Sequence, residues 1–236
     1  PNMAIVDPNF VDTMPAGLCA ASGIDALVHA IEAYVSCMAT NFTNSEALEA
    51  IKLVFRYLPR SYANGKDDPI AREKMHYAST IAGMAFANAF LGLCHSMAHK
   101  LGAAFNIPHG IANALLLSQI IKYNATDCPD KQAIFPQYRF PCAKNRYAQI
   151  ADEIGLQGAT DDEKVERLLD AITELKKAIK IPLSIKEFGV TEADFYAKLD
   201  TLTEQAFDDQ CTGANPVYPL MKDIKQLYID AFNGVI

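Results

Sequence analysis

From residue 15 onward the chain is patterned for helix almost without interruption, and the few breaks restrict it to a stack of helices. Ala20 to Met38 is a long apolar run whose main polar interruptions are Asp25, His29 and Glu32. Asn44-Ser45 reads as the cap of a second helix, whose apolar positions Leu48, Ile51, Val54, Phe55 and Leu58 keep the helical period until Pro59. Asp68-Pro69 sets a capping side chain before a proline at the first helical position, which predicts a helix to about Ala89. Gly92 marks a break before Cys94 to Phe105, and Pro108-His109-Gly110 turns the chain into Ile111 to Tyr123. Residues 124–142, with three prolines and two cysteines, read as an irregular connection. Further helices are expected at about 144–154, 161–180, 192–206 and 219–233. Without a repeat or a low-complexity linker, residues 1–236 read as one all-α domain. The exception is Met3-Ala4-Ile5-Val6, which reads as a short strand ended by Asp7-Pro8 and looks cut from something longer.

Half of the residues are hydrophobic, enough for a sizeable core. A formal charge of −7 and a pI near 5.2 argue against nucleic acid and anionic membranes as partners. No basic leader with an apolar stretch opens the chain. The most apolar segment, Ile81 to Cys94, is short for a bilayer span and contains Asn88, so it reads as a buried helix. Six cysteines (Cys19, Cys37, Cys94, Cys128, Cys142 and Cys211) show no CxxC and read as reduced thiols of a cytoplasmic protein.

Four of the five histidines fall in two clusters. Asp25 and His29 sit four residues apart, on one face of a helix. His95 and His99 have the same spacing, and His109 follows at a helix start between Pro108 and Gly110. Imidazole nitrogens and a carboxylate oxygen are ligands for a divalent transition metal. The Asp25–His29 pair alone fits a local hydrogen bond as well as it fits a metal, because either satisfies a buried carboxylate. His95-Ser96 lacks the glutamate that follows the first histidine of a metalloprotease helix. Five candidate ligands exceed the four of a closed site, and spacing does not say which is the spare. No GxGxxG, GxxxxGK[ST] or Gly-x-Ser-x-Gly occurs, so a nucleotide must be held mostly by residues outside this chain.

Four stretches carry a resemblance. Gly23-Ile24-Asp25-Ala26-Leu27-Val28-His29-Ala30-Ile31-Glu32 is similar to a signature of the iron-dependent (group III) alcohol dehydrogenases. So is Gly92-Leu93-Cys94-His95-Ser96-Met97-Ala98-His99-Lys100-Leu101-Gly102, running on to Pro108-His109-Gly110-Ile111-Ala112-Asn113-Ala114. Ala82 to Gly92 and Phe207-Asp208-Asp209-Gln210-Cys211-Thr212-Gly213-Ala214-Asn215-Pro216 look like the C-terminal half of the bifunctional aldehyde–alcohol dehydrogenases. The resemblance implies the dehydroquinate synthase-like, iron alcohol dehydrogenase fold. In that fold an α/β nucleotide-binding half precedes a helical metal-binding half, and this chain resembles only the second. Residues 1–15 then correspond to a strand and linker from the first half. The family's metal ligands fall on Asp25, His29, His95 and His109, for ferrous iron with zinc as a possible substitute. His99 falls beside the nicotinamide and the substrate, in a catalytic and cofactor-contacting position. Phe86, Leu91 and Cys211 fall along the substrate channel. NAD(H) would be held mainly by the other half, the substrate would be a short alcohol or aldehyde such as ethanol or acetaldehyde, and the parent would be a homo-oligomer, in full-length relatives a helical filament.

Three rivals remain open at this level. A zinc-dependent glycerol-type dehydrogenase would fit a site with fewer protein ligands. A helical metal-dependent hydrolase would want a second carboxylate or an adjacent His-Asp pair. A metal-stapled assembly module would need no chemistry.

Overall fold

Helices with apolar faces leave water by packing on one another, and local caps decide where each begins. The structure, a computed structural model, describes residues 3–127 and 142–235. Its longer helices are α1 (Ala16–Val35), α2 (Asn41–Asn64), α3 (Pro69–Ala89), α4 (Leu93–Phe105), α5 (His109–Asn124), α6 (Ala143–Glu153) and α7 (Asp161–Ala178). The short α8 (Ile185–Phe188), α9 (Glu192–Phe207) and α10 (Met221–Asn233) follow, and no strand forms among the described residues. The expected connection at 124–142 lies mostly outside them.

Two expectations are corrected. Met3 to Val6 is not a strand, because no described segment lies beside it to take its backbone hydrogen bonds. The second helix starts earlier and ends later than the sequence reading had it. Thr40, not Asn44, caps it, through a reciprocal capping box with Thr43. Pro59 lies inside it. An interior proline costs about 3 kcal/mol, and here tertiary packing offsets it: Leu58 is fully buried against Gly23 of α1, and Ser61 meets Cys19 at 3.3 Å. The Asp68 cap before Pro69 is as expected: its carboxylate accepts from Ala71 N–H at 3.0 Å and pairs with Arg60.

α1 is the central helix. It packs against α2, α3 and α5, and Ile24, Leu27 and Ile31 are buried within it at about 1.5–3 kcal/mol each. By length and composition α1 could cross a bilayer, but 72% of its apolar stretch is buried inside the fold, as in a core helix. α3 and α4 meet at a bend of 111°. At the bend, Phe90 has φ 64° and ψ −173°, a conformation costing a non-glycine residue roughly 1–3 kcal/mol. Gly92 follows because a Cβ there would lie 2.9 Å from Asn215 Oδ1 and 3.0 Å from Glu32 Oε1. Those side chains replace a local cap for α4: Glu32 accepts from Cys94 N–H at 2.7 Å, and Asn215 accepts from Leu93 N–H at 3.2 Å. The bend therefore holds the start of α4 against α1.

Candidate metal centre

Asp25 and His29 come from the middle of α1, His95 from the first turn of α4, and His109 from the first position of α5. A cluster of this kind needs three helices to approach closely, and Gly110 permits it. A Cβ at Gly110 would overlap the backbone carbonyl of Ala21 on α1. One ligand atom from each of Asp25, His29, His95 and His109 lies within 4.8 Å of every other. Asp25 Oδ1 lies 3.8 Å from His95 Nε2 and 3.6 Å from His109 Nε2, and Asp25 Oδ2 lies 3.7 Å from His29 Nδ1. His29 stacks on His95 at 4.4 Å between ring centres.

The protonation pattern suits a cation. His95 Nδ1 lies 2.5 Å from Glu32 Oε2. Donation from Nδ1 to that carboxylate leaves the lone pair of His95 on Nε2, facing Asp25 and His109. Burial, with His95 close by, pushes His29 down to about 4 against the opposing pull of Asp25 and Glu32. Burial also lowers His109. Both imidazoles therefore stay neutral at pH 7.

The hydrogen-bond count provides a test of fit. The side-chain amide of Asn113 meets Asp25 Oδ1 at 2.7 Å, His95 Nε2 at 3.1 Å and His109 Nε2 at 3.2 Å. An amide nitrogen has two protons for these three acceptors. With His109 protonated on Nδ1, one lone pair of the three is left without a donor, and a divalent ion would take it up. Three nitrogens and one carboxylate oxygen form a four-ligand set that can leave a position for substrate. The residues present fit a divalent ion.

The other predicted residues gather around this cluster to different degrees. His99 lies one turn along α4, its ring nearly parallel to His109 with centres 5.5 Å apart. Its Nδ1 faces Asp209 Oδ2 at 3.2 Å. Phe86 stacks on His29 at 4.4 Å. Leu91 is buried in the α3–α4 turn. Cys211 is buried in the 3-10 turn Gln210–Ala214, within reach of His99 and Asp209. Burial, followed by the Asp209 and Glu32 charges, pushes the Cys211 thiol up to about 12, and burial raises Cys94 well above the usual thiol range. Neither is a ready nucleophile. His76 lies apart, in a cavity of about 130 Å³ that also contains Arg72 and none of the four ligands.

Sequence reasoning missed the supporting residues. Glu32 passed as a mere polar interruption, although Asp25, His29 and Glu32 share one helix face by spacing. Asn113 is likewise one turn from His109. Asp209 and Asn215 lie in a stretch that carries the resemblance, but no local pattern assigns their contacts to His99 and to Leu93 N–H, which are more than 100 residues away.

Comparison with known proteins now bears on the site. The model of the Fe-containing alcohol dehydrogenase family, C-terminal, matches residues 19–232. The chain belongs to this family. An aldehyde-alcohol dehydrogenase of Clostridium acetobutylicum is 60% identical over 232 residues, covering 98% of this chain and 27% of that protein. A bifunctional aldehyde-alcohol dehydrogenase of Escherichia coli is 57% identical over 236 residues, covering 99% and 26%. The solved structure of an iron-containing alcohol dehydrogenase from Thermococcus thioreducens superposes with a TM-score of 0.84 at 38% identity, over 98% of this chain and 55% of that one. The chain thus spans about a quarter of these curated relatives. The match falls on the family's C-terminal part, and the described residues form helices and no strand.

Proposed function

We propose that this chain is the metal-binding part of a nicotinamide-dependent alcohol dehydrogenase. The reaction interconverts a short aldehyde, acetaldehyde first, with its primary alcohol: aldehyde, NADH and a proton give alcohol and NAD. The observation that carries the proposal is the convergence of Asp25, His29, His95 and His109 within 4.8 Å, short of hydrogen-bond donors and backed by Glu32. A divalent ion held there supplies Lewis acidity to a carbonyl or alkoxide oxygen, and the cofactor supplies the hydride.

The chain's own residues do the rest. Glu32 orients His95, turning its Nε2 toward Asp25 and His109. Phe86, Leu91 and Cys211 wall the substrate side with apolar surface that excludes water. His99 carries the proton to or from the substrate oxygen at its Nε2 and contacts the nicotinamide. Family membership favours ferrous iron, while the nitrogen-rich donor set would also take zinc. NAD(H) is held mainly by an α/β domain of the parent protein, which assembles as a homo-oligomer able to form a filament. The unbridged buried thiols Cys19, Cys37, Cys94 and Cys211 fit a cytoplasmic setting.

The test uses the full-length protein. Elemental analysis should find one divalent ion per site. NADH formation with ethanol should depend on that ion and return when iron is restored after chelation. Ethanol-dependent turnover that persists in a protein freed of metal would overturn the proposal.

A further inference from the structure

The tail from Asp208 to Pro216 supplies none of the four ligands, yet one of its side chains reaches into the centre. Asp209 Oδ2 meets His99 Nδ1 at 3.2 Å and Lys100 Nζ at 2.8 Å. Its other oxygen accepts from the backbone N–H of Cys211 at 3.0 Å. The Asp209 side chain is only 7% exposed. Its carboxylate is thus held by two partners besides the imidazole, Lys100 and the Cys211 N–H. The 3-10 turn that begins at Gln210 is itself tied to α4, since the hydroxyls of Thr212 and Ser96 lie 2.8 Å apart.

We propose that Asp209 is the positioning residue of His99: it accepts the Nδ1 proton, fixes the ring plane, and leaves Nε2 as the nitrogen that faces a substrate. The ring's near-parallel stacking on His109, 14° apart, gives the same plane a second support. Lys100 shares Oδ2 with the histidine while the Cys211 N–H holds the other oxygen, and against its burial the hydrogen bonds from Lys100, Cys211 and His99 hold Asp209 ionised, down to about 2.

The same atoms allow a competing reading. His99, Asp209 and Cys211 could form a second cation site, their donor atoms lying within 4.8 Å of one another. Two features count against it. The Lys100 ammonium already takes the carboxylate, and the Cys211 thiol remains protonated at neutral pH. The trio forms a hydrogen-bonded support instead.

This inference rests on the reading of His99 as the proton carrier, and the experiment separates the two. In the full-length protein, His99→Ala, Asp209→Ala and the double variant are compared for kcat, KM and metal content. Asp209→Ala should lower kcat by about 10- to 100-fold, with KM little changed and one ion per site retained. The double variant should be no slower than His99→Ala alone, because Asp209 acts only through that ring. Asp209→Asn keeps an acceptor for Nδ1, so it should lose less than Asp209→Ala, and it replaces that variant if the alanine form fails to fold. A crystal structure of the variant without an acceptor should show the His99 ring in more than one orientation. Multiplying losses in the double variant, an unmoved His99 ring, or a second ion per chain that disappears with Asp209 would each overturn the inference. Wild-type turnover in His99→Ala together with a loosened ring in Asp209→Ala would sink the role of His99 in the reaction and uphold the positioning.

Discussion

His109 is the most exposed of the four candidate ligands, its side chain 44% accessible, whereas His95 is 1% exposed. Removing His109 therefore leaves little buried and unpaired, so the fold should survive while the ligand set drops to three. His109→Ala is expected to lose stoichiometric metal and keep its helical circular dichroism; full occupancy by elemental analysis would remove His109 from the set. His29 gives a pH prediction. Its folded pKa of about 4 lies below the ordinary 6.5, so between those values the unfolded chain binds more protons than the folded one. Stability of the metal-free protein should be complete above pH 6.5 and fall as pH drops toward 4, by at most about 3 kcal/mol from this residue. Urea unfolding across that range should show the slope, and His29→Gln should flatten it.

Two elements depend on contacts far away in sequence. The N-terminus of α4 is capped by Glu32 from α1 and by Asn215 from the tail, in place of any side chain of its own. Glu32→Gln keeps the volume but cannot accept from both backbone N–H groups and the His95 ring with the same strength. It should weaken metal binding by about 10- to 100-fold, read from competition with a chelator. Unchanged affinity would show that Glu32 only caps the helix. The contact between α1 and α5 depends on Gly110. With a Cβ directed at the Ala21 carbonyl, Gly110→Ala must separate the helices and carry His109 away from Asp25. A loss of at least about 1–3 kcal/mol is expected, along with most of the metal. A fully metallated, equally stable variant would mean that the helices tolerate a wider crossing.

At the scale of the whole molecule, the proposed function gives this chain only the metal side of a two-sided reaction. Hydride transfer needs the nicotinamide ring in contact range of the substrate carbon, and these 236 residues contain no phosphate-cradling glycine loop. Calorimetric titration of NADH into this chain alone should give no micromolar binding, while the divalent ion still binds; one-site micromolar binding would place the cofactor site within these residues. The helices were legible in the sequence because apolar period and capping chemistry are local: Asp68-Pro69, Gly92 and Pro108 marked their breaks without any tertiary knowledge. The misreadings at Pro59 and at Met3 to Val6 arose because helix continuation and strand pairing depend on neighbours. The four candidate ligands were visible as residue types, Asp25 and His29 at helical spacing and His95 and His109 at helix starts, and the resemblance, not the spacing, separated His99 from them. By itself, then, the sequence determined the helices, the polar residues carried on their apolar faces and the family those motifs resemble. Only the tertiary structure decided that Glu32 turns His95, that the Asn113 amide comes within reach of Asp25, His95 and His109, and that Asp209 reaches His99 from 110 residues away. Those contacts join distant segments through packing, and no local pattern in a chain records which distant side chain will arrive.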